Sequence, residues 1–177
     1  ENDDLAFISL WISFNACYAV QMPKDEILSE KENFRVFLKK LVKLDTEKRF
    51  YNLLWNQFSG PVRLLINNQY VFKPFWDFQR GEIKDWKKQF DQSVEESMKY
   101  LSTQKVVDLL EVVLDRLYTL RNQLVHGGAT YKSEVNRSQV IDGKNILSML
   151  VPLIIEIMMD NEYEDWGEIY YPVISTR

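Results

Sequence analysis

The sequence predicts an all-α helical bundle in one domain, residues 1–177. Three observations carry that prediction. Apolar residues recur at helical spacing through most of the chain instead of alternating as in strands. Only six Gly and five Pro interrupt 177 residues, which leaves room for long helices. No internal repeat, low-complexity linker or composition shift divides the chain. Hydrophobic residues make up 46%, and five Trp, nine Tyr and ten Phe supply bulky side chains for a core.

Leu5 to Val20 is apolar nearly all round and predicts a buried helix, stopped at Met22-Pro23. Glu30 to Leu44 carries Phe34, Phe37, Leu38, Leu41 and Val42 at helical spacing. Asp45-Thr46 can cap the next segment, Glu47 to Phe58, with Phe50, Leu53, Leu54 and Trp55 inward. Gly60-Pro61 marks a break, and Pro61 suits the first turn of a short helix through Ile66. Asn67 to Gly81 is aromatic and irregular, and reads as a short hairpin or a loop packed on the core. Glu82 to Leu101 returns to helix, with Trp86, Phe90, Val94 and Met98 four residues apart. Gln104 to His126 forms a further helix, and Ser133 to Asp160 a long one kinked near Pro152. The tail from Tyr163 to Ile174 has β-like composition and is expected to extend over the surface.

Composition narrows the function classes. The net charge of −4 argues against a protein that coats duplex nucleic acid, so any RNA contact must be local or shared between subunits. Lys39, Lys40 and Lys43, Lys48 and Arg49, and Lys84, Lys87 and Lys88 read as solvated helix faces. Cys17 is the single cysteine, so no intrachain disulfide forms, as suits a reducing cytoplasm. No Cys/His cluster has zinc spacing, and no metal or cofactor is expected. Residues 1–4 are acidic, so the apolar run from Leu5 lacks the basic start of a signal peptide. Ile146 to Met159 is too short and too broken for a membrane span. The chain begins at Glu1 instead of Met, as expected if upstream residues are missing.

The most informative segment is Arg121-Asn122-Gln123-Leu124-Val125-His126, which contains the chain's one histidine and ends at Gly127-Gly128. At about 100° per residue, Val106, Leu110, Val113, Leu114, Leu117, Leu124 and Val125 form an apolar arc. Arg121 is the one charge inside it, so it pairs with a buried acid, faces a cleft or lies in a subunit interface. Asn122 and His126 are four apart and share a face. Asp115 and Glu111 lie earlier on that side, where either can orient an imidazole or pair with a neighbouring subunit's arginine. Gly127-Gly128 is a helix C-cap signal that puts His126 in the last turn, where the helix dipole favours an imidazolium. A titratable base beside a phosphate-binding cation suits phosphodiester chemistry.

Arg-Asn-x-x-x-His near the end of a long bundle helix resembles the signature of HEPN domains. Leu10-Trp11-Ile12-Ser13-Phe14-Asn15-Ala16 is similar to the opening helix of their bacterial, Apea-like branch. The resemblance covers roughly residues 5–21 and 104–160. It implies a helical bundle that dimerises, with the two motif helices meeting across a composite cleft. It further implies a metal-independent endoribonuclease acting as a toxin or antiviral effector, with an antitoxin or nucleotidyltransferase partner. By carry-over Arg121 and His126 are catalytic and Asn122 supports them. Some members carry Tyr two residues after the His; here that position is Gly128, and Tyr131 is off register. Two other readings stand beside it. One is a non-catalytic HEPN-like module that binds a nucleotide, nucleic acid or protein partner. The other is an unrelated scaffold in which Arg121 pairs with Glu111 or Asp115.

Overall fold

A computed structural model of the chain describes residues 2–18, 20–21, 30–127 and 137–169, and within them the architecture is an all-α bundle. Its elements are α1 (Asp3–Tyr18), α2 (Glu30–Leu44), a short α3 (Arg49–Tyr51) running into a π-helical turn (Asn52–Gln57), and α4 (Ser59–Ile66). A 3-10 turn (Gln69–Val71) and α5 (Lys73–Gln79) follow, then α6 (Lys87–Ser102), α7 (Val106–Val125) and α8 (Arg137–Asp160). Two residues of the tail form β2 (Glu168–Ile169), antiparallel to β1 (Val20–Gln21). The predicted stop at Met22-Pro23, the start of the last helix at Ser133 and the tail beyond Ile169 lie outside the described residues.

α7 is the central element. Leu109, Leu110, Val113, Leu114, Leu117 and Leu120 are all buried. α1 runs alongside α8 in the same direction, with Asp3 on Lys144 at 2.8 Å and Asp4 on Arg137. Gly143 of α8 is where α1, α7 and α8 converge. A Cβ there would stand 2.8 Å from the Phe7 ring and 2.9 Å from a Leu117 methyl, so glycine is what lets these two side chains pack against α8.

The predicted cap at Asp45 is present: its carboxylate accepts the Phe50 N–H at 2.8 Å and the Arg49 Nε–H at 3.4 Å. The chain reaches that turn through Lys48 in the left-handed conformation, φ 55°. Helix therefore begins at Arg49, two residues later than predicted.

Three expectations need correction. α1 is not buried all round: Phe7, Trp11 and Phe14 face the core, while Leu5 and Ile12 are mostly exposed. Apolar residues lie on nearly every side of that helix, so sequence cannot choose the face; α7 and α8 choose it. The aromatic segment 67–81 is no hairpin. It folds as the 3-10 turn and α5, with Pro74 in the first turn and Trp76 donating its indole N–H to the Tyr70 carbonyl at 2.8 Å. Finally, α6 starts at Lys87 instead of Glu82, because Gly81 at φ 77° turns the chain and Arg80 ties Glu82 back to Asp77 of α5.

Candidate functional site

The Arg121–His126 segment forms the last turn and a half of α7, at the edge of the core. Arg121 and Asn122 are half-buried and His126 is exposed. The Arg121 Nη1–H donates to Asn122 Oδ1 at 3.0 Å, which fixes the guanidinium along the helix end. His126 caps the helix, its N–H donating to the Asn122 carbonyl at 2.9 Å, and Gly127 follows at φ 75° in the left-handed turn that ends many helices. Between them Gln123 is buried and donates to the Tyr70 carbonyl, tying the motif turn to the 3-10 turn. Val125, expected on the apolar arc, is about half exposed.

Arg121, Asn122 and His126 are thus brought together at one accessible helix end. Asp115 and Glu111 are not. Glu111 lies fifteen residues, about 22 Å, before His126 along the axis, and Asp115 eleven residues, about 16 Å. Glu111 instead takes the Arg35 guanidinium of α2, shared with Asp108 at 2.6 Å. These carboxylates hold the Arg35 pKa above its ordinary value, the hydrogen bond that Arg35 donates to Asp108 contributing most. Among the described residues Arg121 forms no ion pair; its side-chain partner is Asn122.

Glu111 and Asp115 line a different feature, a cavity of about 740 Å³ between α1, α2, α6 and α7. Its aromatic wall is continuous. Trp11 contacts Phe14 at 5.3 Å and Tyr118 at 6.0 Å between ring centroids, and Phe14 and Tyr18 meet Phe34 edge-on. Four carboxylates (Glu96, Asp108, Glu111, Asp115) face two guanidiniums (Arg35, Arg116) around it. Tyr100, also in the lining, has its pKa raised by burial first and then by the negative charge of Glu96, Asp108 and Glu111.

Arg116 is the buried charge that sequence reasoning missed. It is 1% exposed, with its guanidinium 4.4 Å above the Phe72 ring and 5.8 Å from that of Phe90. Its Nη2–H donates to Ser93 Oγ at 3.0 Å, but its Nε–H finds no acceptor. Burial pushes its pKa down to about 10, partly opposed by Asp115, so it stays charged at neutral pH. The apolar arc drawn from sequence stops short of it. Leu109 and Leu120, about 40–60° beyond Val106, extend the buried side toward Arg116 and were the available signal. The Phe72 and Phe90 rings that cover this flank come from elements distant in sequence.

Of the other tryptophans expected to pack internally, Trp55, Trp76 and Trp86 are each half-buried, and Trp55 donates its indole N–H to the Leu101 carbonyl at 2.9 Å. No described helix is long and apolar enough to cross a membrane. Among the described residues no group of three or more His, Cys, Asp or Glu side chains is placed to hold a metal ion. Comparison with protein-family models, with curated proteins and with solved structures finds no significant match to this chain.

Proposed function

We propose that this chain is a metal-independent endoribonuclease of the HEPN type, a toxin or antiviral effector whose site is assembled from two copies. One observation carries the reading. His126, the chain's one histidine, and Arg121, which forms no ion pair among the described residues, lie in the same last turn and a half of α7, with Asn122 accepting from the Arg121 guanidinium. A purely structural arginine on that helix would be expected against Glu111 or Asp115, and Glu111 already serves Arg35. The half-exposed Val125 and Tyr118 flank the motif and give a second copy apolar surface to cover.

In this reading neutral His126 removes the proton of an RNA 2′-hydroxyl, and O2′ attacks the adjacent phosphorus. The bond from phosphorus to the 5′-oxygen breaks, and the imidazolium of His126 in the second copy protonates that leaving oxygen. Arg121 stabilises the charge that grows on the non-bridging oxygens, where a bidentate guanidinium fits a phosphoryl group. The products are a 2′,3′-cyclic phosphate and a 5′-hydroxyl.

A second reading, a non-catalytic module for a nucleotide, nucleic acid or protein partner, is favoured by the ligand-sized cavity between α1, α2, α6 and α7. Cleavage of mixed cellular RNA in excess chelator separates the two. Cutting by the wild type but not by His126→Ala, with cyclic phosphate ends, supports the nuclease. A strict magnesium requirement with 3′-hydroxyl ends refutes it. Intact RNA in both samples moves the reading to the binding module.

A further inference from the structure

We propose that the outward face shared by α1 and α8 is an interface with a second copy of this chain, packed end for end across a two-fold axis. It lies apart from the Arg121–His126 motif. α1 turns Phe7 toward Gly143 of α8 and Trp11 toward Tyr118 of α7, while Leu5 and Ile12 point to the opposite side. A chain that also pairs through the motif is then a tetramer.

Helical spacing builds the face. At about 100° per residue, Leu5, Ser9, Ile12 and Ala16 fall within about 60° of one another on α1, and all are exposed. Ser148, Pro152, Ile155 and Met159 do the same on α8. The two stripes lie side by side because the helices run in the same direction. Asp3 meets Lys144 near one end, and Ser13 and Ala16 share a recess of about 560 Å³ with Ile155 and Met159 near the other. None of the stripe residues is charged. The Ser13 hydroxyl donates to the Ser9 carbonyl at 3.1 Å and that of Ser148 to the Asn145 carbonyl at 2.8 Å, so both turn back to their own helix. The face therefore asks for apolar contact.

Size calls for a folded partner. Leu5 is 62% exposed, Ile12 63% and Met159 71%. With Pro152 and Ile155 they leave roughly 450 Å² of apolar surface in water, more than half of the about 800 Å² that each partner gives to a standard interface. Shape then selects a second copy. Leu5 and Ile12 stand up as a ridge, and Ser9, Ser13 and Ala16 beside them leave a furrow. A surface carrying both ridge and furrow fits itself across a two-fold axis. Turned end for end, Leu5 of one copy comes over Ala16 of the other, at the mouth of the recess that Cys17, Met158 and Trp166 wall. Charge agrees. α1 and α8 point the same way, so their dipoles oppose those of a copy packed end for end. Glu162 at the recess disfavours an anionic membrane surface as the occupant.

Light scattering and peroxide footprinting test the interface. The wild type at about 100 µM is expected to be a dimer or a tetramer. Ile12→Glu with Met159→Glu is expected to halve that mass with unchanged helical content by circular dichroism, since both side chains are exposed. Leu5→Ala, too mild to disturb the fold, is expected to weaken association by about tenfold. For a dissociation constant of about 10 µM, raising the chain from about 1 to 100 µM slows peroxide oxidation of the Met159 thioether by about fourfold. Met98 of α6, 38% exposed, is the internal control and keeps its rate. A monomer at about 100 µM overturns the proposal, and flotation of that monomer with phosphatidylcholine vesicles assigns the face to lipid instead. A mass that the paired variant leaves unchanged also overturns it, whether or not Val125→Glu beside the motif lowers that mass. So does equal oxidation of Met159 at both concentrations. None of these outcomes depends on RNA cleavage.

Discussion

Gly143→Ala tests whether α1, α7 and α8 converge as described, because two effects of opposite sign compete at that position. Replacing an interior helical glycine by alanine gains about 0.8–1 kcal/mol of helix propensity. Against this, the new Cβ would lie 2.8 Å and 3.3 Å from two carbons of the Phe7 ring and 2.9 Å from a Leu117 methyl. Relaxed carbon contacts lie at about 3.5–4.0 Å, so both neighbours must withdraw by roughly 0.6–1.2 Å. Phe7 and Leu117 are each 0% exposed, so neither has solvent to move into. Such overpacking costs about 1–3 kcal/mol, and two simultaneous clashes place it in the upper half. The net expectation is a loss of about 1–2 kcal/mol, or roughly 2–8 °C in melting temperature for a chain this long. Urea unfolding followed by circular dichroism measures it. Gly60→Ala is the internal control: a Cβ there meets nothing within 4 Å, so the change is neutral or stabilising by up to about 1 kcal/mol. Phe7→Leu should recover part of the loss in the Gly143→Ala background. Equal stabilisation by both alanines would refute the close approach of the three helices.

Asp45→Ala removes the acceptor of the Phe50 N–H and a partner of Arg49, and is expected to cost about 1–2 kcal/mol, with Asp45→Asn retaining part of it; urea midpoints decide. The Asp3 pKa is lowered, first by the hydrogen bond from Lys144. Its contribution to stability is therefore complete above the ordinary value of 3.8 and is lost as pH falls through the depressed value. Melting curves between about pH 2 and 5 should show that acid loss flattened in Lys144→Ala; an unchanged acid limb would refute the pairing.

The all-α class was legible because a period of 3.6 residues persists from Phe34 to Leu41 and from Val106 to Leu124, and period is a local property of the chain. The Asp45 cap was legible for the same reason: a carboxylate and the amide it accepts from lie five residues apart. Pro74 at the start of α5 was a local signal too, outweighed by the density of aromatic residues around it. The grouping of Arg121, Asn122 and His126 at one helix end also follows from helical spacing alone.

What sequence could not decide was which side of a helix meets which neighbour. α1 offers apolar residues on every side, and the convergence of α7 and α8 at Gly143 selects Phe7, Trp11 and Phe14 over Leu5 and Ile12. Glu111 and Asp115 share the helix side of His126, yet the partner of Glu111 is Arg35, 76 residues away in sequence. Arg116 looks like an ordinary helix-surface charge until Phe72 and Phe90 close over it. Sequence by itself determined the longer helices, the role of the Asp45 carboxylate and the motif at the end of α7, because those rest on interactions within about five residues. Only the tertiary structure decided the buried arginine and the aromatic, acidic cavity, because both are made by elements that meet only when the chain is folded.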